Sequence, residues 1–337
     1  MFMFYKLFFF NTLMIGTLIS ISANSWFSMW IGLEINLLSM IPLMKSHLNK
    51  FPAEASLKYF ITQSLASTMI LFSLIMMLKF SEFIYSNLEI SYMLILNSAL
   101  LTKLGAAPFH AWFPEVIEGL NWMNSLILLT WQKIAPMILI MYNFKMSLFF
   151  SLIIIISSII GGIYGINQIS MRKIMTFSSI NHIAWMLASM MNMKTIWFSY
   201  FIIYSLISLS IILICQMLNI FYLNQMFLTL NSNKLMKMFF IMNFLSLGGL
   251  PPFLGFLPKW LTMMNLINNN FYFLSFNLIV FSLITLFFYI RITLSTLTVS
   301  SSETIMKISI INNYFLIFIN LVTLLSLILC TSIFNIL

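Results

Sequence analysis

The sequence predicts an all-α, polytopic membrane protein of about eleven transmembrane helices, arranged as two inverted five-helix repeats plus one C-terminal helix. Three observations support this fold class. Apolar residues make up 61% of the 337 residues and charged residues only 7%, whereas about a quarter of a soluble domain is charged. The apolar runs are continuous, without the alternation of a membrane β-strand. Two clusters of Gly and Pro interrupt apolar runs at corresponding positions in the two predicted repeats.

The spans follow from the length of the apolar runs, since a hydrocarbon core about 30 Å thick needs about 20 helical residues per crossing. Residues 1–142 form the first predicted repeat, residues 147–291 the second, and residues 310–335 the C-terminal transmembrane helix. Each repeat holds an odd number of helices, so the two must insert with opposite orientation. The predicted spans are 3–21, 25–44, 56–78, 90–118 with a break near 105–108, 122–142, 147–168, 173–191, 196–220, 238–265 with a break near 248–258, 271–291 and 310–335.

Basic residues are distributed unequally between the predicted loops. Three of the sixteen Lys and Arg lie well inside spans, ten lie in loops or at span ends on the side of the N-terminus, and three lie on the other side. This bias predicts that the N-terminus faces the compartment from which insertion starts, and that the C-terminus faces the opposite one. It also explains the net charge of +9, so the charge does not indicate a nucleic-acid partner. The N-terminal set is Lys6, Lys45, Lys50, Lys58, Arg172, Lys173, Lys234, Lys237, Arg291 and Lys307, and the opposite set is Lys79, Lys145 and Lys194.

Several cofactor classes lack the residues that they need. Only Cys215 and Cys330 are present, too few for a four-cysteine iron–sulfur or zinc site. The sequence also lacks a GxGxxG dinucleotide motif and a Walker A loop. We therefore expect neither a metal nor a nucleotide site.

Four charged residues lie well inside the predicted spans, away from the loops: Glu34, Lys103, Lys133 and Lys259. A lone charge there costs roughly 3 kcal/mol on insertion scales, so such residues usually mark an ion or proton route. Burial disfavours a charged lysine and a nearby carboxylate favours it. Our hypothesis is that Glu34 pairs with Lys103, and that breaking the pair releases a proton toward Lys133 and then Lys259. Snorkelling lysines and a static buried ion pair are the alternatives.

The Gly and Pro clusters predict two broken helices. Proline removes a helical hydrogen bond and clashes with the preceding turn. Such breaks are tolerated at membrane depth only where protein or water satisfies the freed backbone groups. Each break falls in the fourth helix of its repeat and adjoins a buried lysine, which favours a transporter, although either alone could be a simple proline kink.

Two histidines are weaker candidates for the same route. His110 follows the first break, and His182 lies within a polar run of the seventh predicted helix. An imidazole can relay protons, but a hydrogen-bonded structural role is an equal alternative for both. We expect His47, in a charged loop, to be solvated.

The sequence contains six ordered motifs: GLEINLL (32–38), EASLKYF (54–60), KLGAAPFH (103–110), TWQKIAP (130–136), FSSINH (177–182) and GGLPPFLGFLPK (248–259). Together they resemble the antiporter-like subunits of NADH–ubiquinone oxidoreductase, respiratory complex I. The match extends to about Arg291 and is closest to the subunit 2 branch, because the chain lacks the long lateral helix of the largest branch. A matrix-side start with eleven spans also fits the animal form, which lacks three N-terminal helices of its bacterial counterparts.

The resemblance implies a core membrane-arm subunit in the mitochondrial inner membrane, with its N-terminus in the matrix and its C-terminus in the intermembrane space. It implies that Glu34 pairs with Lys103, that Lys133 is the central lysine, and that Lys259 is the lysine of the second broken helix. His182 matches a polar position near the same axis. NADH, FMN, iron–sulfur clusters and ubiquinone would belong to other subunits. The partners would be other membrane-arm subunits, including neighbouring antiporter-like ones, and membrane lipids.

Two other functions remain open from the sequence. A stand-alone cation/proton antiporter would use the same broken helices, although a sodium site would normally need more carboxylates than Glu34 alone. A structural spacer within the same assembly would keep the buried charges without using them.

Overall fold

The computed structural model describes residues 4–45, 51–80, 86–144, 146–232, 234–251, 253–298 and 320–321. These residues are helical apart from short loops and one isolated bridge between Ser170 and Tyr222. The chain divides into two compact units, Met1–Ser147 and Leu148–Leu337. Of the predicted features, His47, Lys50, Lys145, Lys307, Cys330 and nearly all of the span 310–335 lie outside the described residues.

The described part of the first unit contains two eight-residue helices, α5 and α6, and five longer ones. The longest, α3, starts five residues before the predicted span 56–78, and the added turn contains Glu54. The helices are α1 (Phe4–Ser22), α2 (Trp26–Met44), α3 (Phe51–Phe80), α4 (Ser86–Leu104), α5 (Trp112–Gly119), α6 (Trp122–Leu129) and α7 (Trp131–Tyr142).

The second unit is built around α9, which is buried along nearly its whole length. α14 continues to Thr298, past the predicted end at Arg291, and the short helix α11 was not predicted. The helices are α8 (Ser147–Ile166), α9 (Met171–Met190), α10 (Lys194–Met217), α11 (Leu223–Ser232), α12 (Lys234–Gly248), α13 (Phe256–Asn268) and α14 (Tyr272–Thr298).

Seven of the described segments are long and apolar enough to cross a membrane: α1, α2, α3, α6 with α7, α8, α10 and α14. The predicted all-helical membrane fold is therefore confirmed. α9 is not among these segments, and its polar residues, including Asn181 and His182, are buried inside the unit. The total of eleven spans and the inverted repeats stay predictions.

Both predicted breaks are present, and they have the same backbone geometry. α4 ends before Gly105, and α12 ends before Gly249, with φ of +72° and +76°. At the first break the N–H groups of Gly105 and Ala106 donate to the carbonyls of Thr102 and Leu101. At the second break, residues 249 and 250 donate in the same pattern to residues 246 and 245. This is the Schellman motif, which uses a left-handed glycine to satisfy the last carbonyls of a helix.

A third interruption was missed in the sequence. The predicted span 122–142 is divided at Thr130, which has φ −117° and ψ −73° and separates α6 from α7. The Thr130 hydroxyl donates to the Leu126 carbonyl at 2.7 Å. Such bonds compete with the regular helical pattern and often bend helices. The consequence is that Lys133 lies in the first turn of a new helix rather than in the middle of a long one.

α1 and α2 cross at very short distance. A Cβ atom added to Gly32 would lie 2.6 Å from the Ser20 nitrogen and 2.9 Å from the Gly16 carbonyl oxygen. Small residues at such crossings allow the backbones of membrane helices to pack directly. Asn36, one turn along α2 from Gly32, is buried on the same side of the helix.

We expect Gly32→Ala to lower the free energy of unfolding by about 1–3 kcal/mol, because the new methyl group must push the α1 backbone away. Thermal unfolding of the purified protein would measure the loss. Gly162→Ala is the matched control, since its nearest contact would be the Phe281 carbonyl oxygen at 3.4 Å. Equal melting temperatures for the two variants would contradict the prediction.

Candidate functional site

Lys103 and Lys133 line one small cavity inside the first unit. Lys103 lies in the last turn of α4 and Lys133 in the first turn of α7, and they are 8% and 2% exposed. The cavity has a volume of about 20 Å³ open to the centre of a water molecule. By that measure a buried water needs about 10–15 Å³. There is room for a water molecule beside both lysines.

The polar part of the cavity wall comes from residues that the sequence did not single out. They are Asn36 on α2, Tyr59 and Gln63 on α3, and Gln132 on α7. The Gln132 amide donates to Asn36 Oδ1 at 2.9 Å, and the Gln63 amide donates to the Lys103 carbonyl at 3.4 Å. Amide and hydroxyl groups are the partners that hold a buried water. The wall can therefore orient water next to the lysines.

The Lys133 ammonium also lies against an aromatic ring. Its Nζ is 5.6 Å from the centroid of Phe113, which follows the first break. At this distance the ring face attracts a cation. The first break thus contributes to the surroundings of Lys133 as well as those of Lys103.

Glu34 projects from α2 and is partly buried. Its Oε1 atom is fully buried and has no hydrogen-bond partner among the described residues. The carboxylate lies near enough to Lys103 for an electrostatic interaction. A direct ion pair is present elsewhere in the unit, between Lys58 and Glu115, at 2.6 Å. The pairing of Glu34 with Lys103 stays a prediction.

Lys259 occupies the second break, in the second unit. It lies in the first turn of α13, is 9% exposed, and reaches back to the end of α12. Its Nζ donates to the Gly248 carbonyl at 2.8 Å and lies 5.8 Å from the Trp185 ring centroid. A carbonyl at a helix C-terminus is a favourable partner for a cation. The lysine side chain therefore bridges the two halves of the broken helix.

His182 forms a buried polar group with two tyrosines of α10. Its Nδ1 and the Tyr200 hydroxyl oxygen are 2.9 Å apart, and its ring centroid is 5.0 Å from that of Tyr204. The three side chains line a cavity of about 10 Å³ together with Ser246 and Pro258, which flank the second break. The tyrosines were not predicted, because their i, i+4 spacing is also usual for apolar packing.

His110 is placed apart from these groups. It lies between α4 and α5, is partly exposed, and its Nδ1 is 3.3 Å from the Pro108 carbonyl oxygen. The two cavities described above are lined by other residues. The structure therefore groups Lys103 with Lys133, and His182 with the second break, but leaves His110 outside both groups.

The described residues contain no cluster of three or more His, Cys, Asp or Glu side chains that could hold a metal ion. Cys215, on α10, is buried and unbonded to another cysteine. What the site offers is a set of amines, amides, hydroxyls, one carboxylate and one imidazole. The amines, the carboxylate and the imidazole can take up and release protons.

Comparison with known proteins places this arrangement in a family. Residues 23–285 match the family described as "NADH:quinone oxidoreductase/Mrp antiporter, TM". The chain is 52% identical over 288 residues to NADH-ubiquinone oxidoreductase chain 2 of Anopheles gambiae, with 84% of this chain and 83% of that protein covered. The chain belongs to the NADH-ubiquinone oxidoreductase chain 2 family. The resemblance found in the sequence motifs is thereby confirmed.

Other members of the family, and a more distant structure, extend the match. The chain is 42% identical to NADH-ubiquinone oxidoreductase chain 2 of Locusta migratoria over 335 residues, 98% of this chain and 97% of that one. A chain of respiratory complex I from Thermus thermophilus superposes with a TM-score of 0.84 at 19% identity, covering 96% of this chain and 79% of that chain. At that identity the likeness concerns the fold.

Proposed function

We propose that the chain is a core membrane-arm subunit of a proton-pumping NADH:ubiquinone oxidoreductase in the mitochondrial inner membrane. Its N-terminus faces the matrix and its C-terminus the intermembrane space. It works as a non-redox subunit, while NADH, FMN, iron–sulfur clusters and ubiquinone bind elsewhere in the complex. Membership of the NADH-ubiquinone oxidoreductase chain 2 family supports this role.

The observation that carries the mechanism is the cavity shared by Lys103 and Lys133. Two buried amines beside a space of water size can exchange a proton through one intervening water molecule. The Lys103 ammonium gives a proton to the water, and the water gives another to the neutral Lys133 amine. One ammonium is lost and one is formed, so charge and protons balance. Gln63 and Gln132 hold the water in place for this transfer.

Glu34 and the second unit complete the proposed route. A carboxylate favours the ammonium form of a nearby lysine, so movement of Glu34 relative to Lys103 would load or unload that lysine. Lys259 would be the next carrier after Lys133. His182, hydrogen-bonded to Tyr200 beside the second break, is a further relay group. His110 is a weaker candidate, since it lies outside both cavities.

The partners of this function are other membrane-arm subunits, including neighbouring antiporter-like subunits, and lipids. Large apolar side chains on the outer faces of both units support this proposal. Leu78, Leu148 and Phe273 are 73%, 81% and 74% exposed. Only an apolar environment, from lipid or from other apolar proteins, suits such surfaces.

A stand-alone cation/proton antiporter is the second candidate, favoured by the Mrp antiporters within the same family description. The cavity of the first unit argues against it, because two lysines line the space that a metal cation would have to enter. Proteoliposomes that contain only the purified chain distinguish the two functions. Sodium- or potassium-driven proton movement in them would support the antiporter.

We expect Lys133→Met to lower the number of protons moved per NADH oxidised by the share that passes through this chain. Methionine preserves much of the volume of the side chain but cannot carry a proton. The measurement is proton uptake and NADH oxidation by the assembled complex in sealed proteoliposomes.

Lys45→Met is the matched control, because it removes an exposed lysine at the end of α2. It should leave the ratio of protons to NADH unchanged. An unchanged ratio in Lys133→Met as well would favour the structural spacer and remove Lys133 from the route.

A further inference from the structure

Gly249, at the second break, lies in contact with Lys259. A Cβ atom added to Gly249 would lie 2.8 Å from Lys259 Cδ, 3.1 Å from its Nζ and 3.2 Å from its Cε. Real Cβ atoms essentially never approach another heavy atom as closely as the first of these distances. The lysine side chain therefore lies directly on the space that any side chain at residue 249 would fill.

The first break shows that this contact is not a general property of such breaks. Gly105 has nearly the same φ as Gly249 and the same hydrogen-bond pattern. A Cβ added to Gly105 would instead meet Phe113 Cβ and Cγ, both at 3.1 Å. Lys103 belongs to the helix before its break, whereas Lys259 belongs to the helix after its break and extends back over it. Only the second glycine therefore touches the buried lysine of its own break.

The end of that side chain is held by the residue next to Gly249. Lys259 Nζ donates to the Gly248 carbonyl at 2.8 Å. The carbonyl is at the last residue of α12, where helical partners are no longer available. The path from Lys259 Cα to that carbonyl crosses Gly249, so the ammonium reaches it only if the crossing is unobstructed.

We propose that Gly249 is a positioning residue for Lys259. Its bare, left-handed backbone forms the surface over which the lysine stem passes, and this surface sets the ammonium on the Gly248 carbonyl. A side chain at residue 249 would move the ammonium away from this position. The consequence for proton movement rests on the proposed function of Lys259, whereas the placement of the side chain does not.

The test compares Gly249→Ala, Lys259→Ala and the double variant in the assembled complex. A density map of Gly249→Ala should show Lys259 Nζ out of hydrogen-bond distance of the Gly248 carbonyl, with α12 and α13 unmoved. The ratio of protons to NADH should fall to the value of Lys259→Ala. Gly162→Ala, with room for its methyl group, is the matched control and should keep the full ratio.

Two results would overturn the proposal. In the first, the Lys259 ammonium stays on the Gly248 carbonyl in the Gly249→Ala variant. In the second, Gly249→Ala displaces the lysine but keeps the full ratio of protons to NADH, while Lys259→Ala lowers that ratio. If Lys259→Ala itself keeps the full ratio of protons to NADH, the proposed function of Lys259 is overturned. The density map of Gly249→Ala then still tests whether Gly249 positions the lysine.

The double variant covers the case in which Gly249→Ala fails to assemble. If the methyl group is harmful because it collides with the lysine, removal of the lysine stem should restore assembly to the level of Lys259→Ala alone. Restoration supports the proposal. Continued failure in the double variant would assign the damage to backbone strain at φ +76° and overturn it.

Discussion

Gly255→Ala should prevent stable assembly of the protein. A Cβ atom on Gly255 would collide with the Ser246 carbonyl oxygen. That oxygen cannot retreat easily, because it accepts the Gly249 N–H that closes the end of α12. Overpacking usually costs about 1–3 kcal/mol and occasionally more, and a fixed backbone neighbour places this variant at or above the upper end. The measurement is the amount of assembled complex and its melting temperature.

The reason for glycine differs between residues 255 and 249, which makes the prediction specific. Gly255 has φ −63° and ψ −14°, a conformation open to every residue, so only the lack of space requires glycine. Substitution of Lys259 should therefore not rescue Gly255→Ala, although we expect it to rescue Gly249→Ala. A Gly255→Ala complex with the melting temperature of the Gly162→Ala control would contradict the structure of the second break.

The broken helices could be predicted from the sequence because Gly and Pro act on the backbone locally. Their clusters indicated breaks near 105–108 and 248–258, and the structure ends α4 at Leu104 and α12 at Gly248. The break at Thr130 has no such local signal. The nearest proline that follows, Pro136, lies six residues later. The hydrogen bond from the Thr130 hydroxyl to the Leu126 carbonyl depends on the rotamer of the threonine side chain. A sequence shows the hydroxyl but not its rotamer.

The candidate site was predictable in its charges and not in its neutral polar wall. Lys103 and Lys133 were identified because a charge at membrane depth is costly wherever it points. Gln63 and Gln132 cost less, and each could have faced another helix or its own backbone. Their place at one cavity depends on the rotation of α3 and α7 about their axes, which tertiary packing sets. The distance between Glu34 and Lys103 could not be predicted for the same reason, because it depends on how α2 and α4 pack against the rest of the unit.

Glu34→Gln should slow proton translocation about tenfold while the complex still assembles. The substitution keeps the shape of the side chain and removes the charge that acts on Lys103. A change of about 1.4 kcal/mol between two groups alters a proton-binding equilibrium about tenfold, and a partly buried carboxylate near a buried amine can supply that much. The measurement is the initial rate of proton uptake by proteoliposomes at fixed NADH.

Glu115→Gln is the matched control, and it separates the effect of burial from that of distance. Glu115 makes the shorter contact, 2.6 Å to Lys58, but the two side chains are 55% and 52% exposed. Exposed ion pairs contribute about 0–1 kcal/mol because water and salt screen them. If burial is what gives Glu34 its influence on Lys103, Glu34→Gln should be the slow variant and Glu115→Gln should keep the full rate, although Glu115 makes the direct ion pair. Equal rates for the two variants would show that the charge of Glu34 has no part in proton transfer.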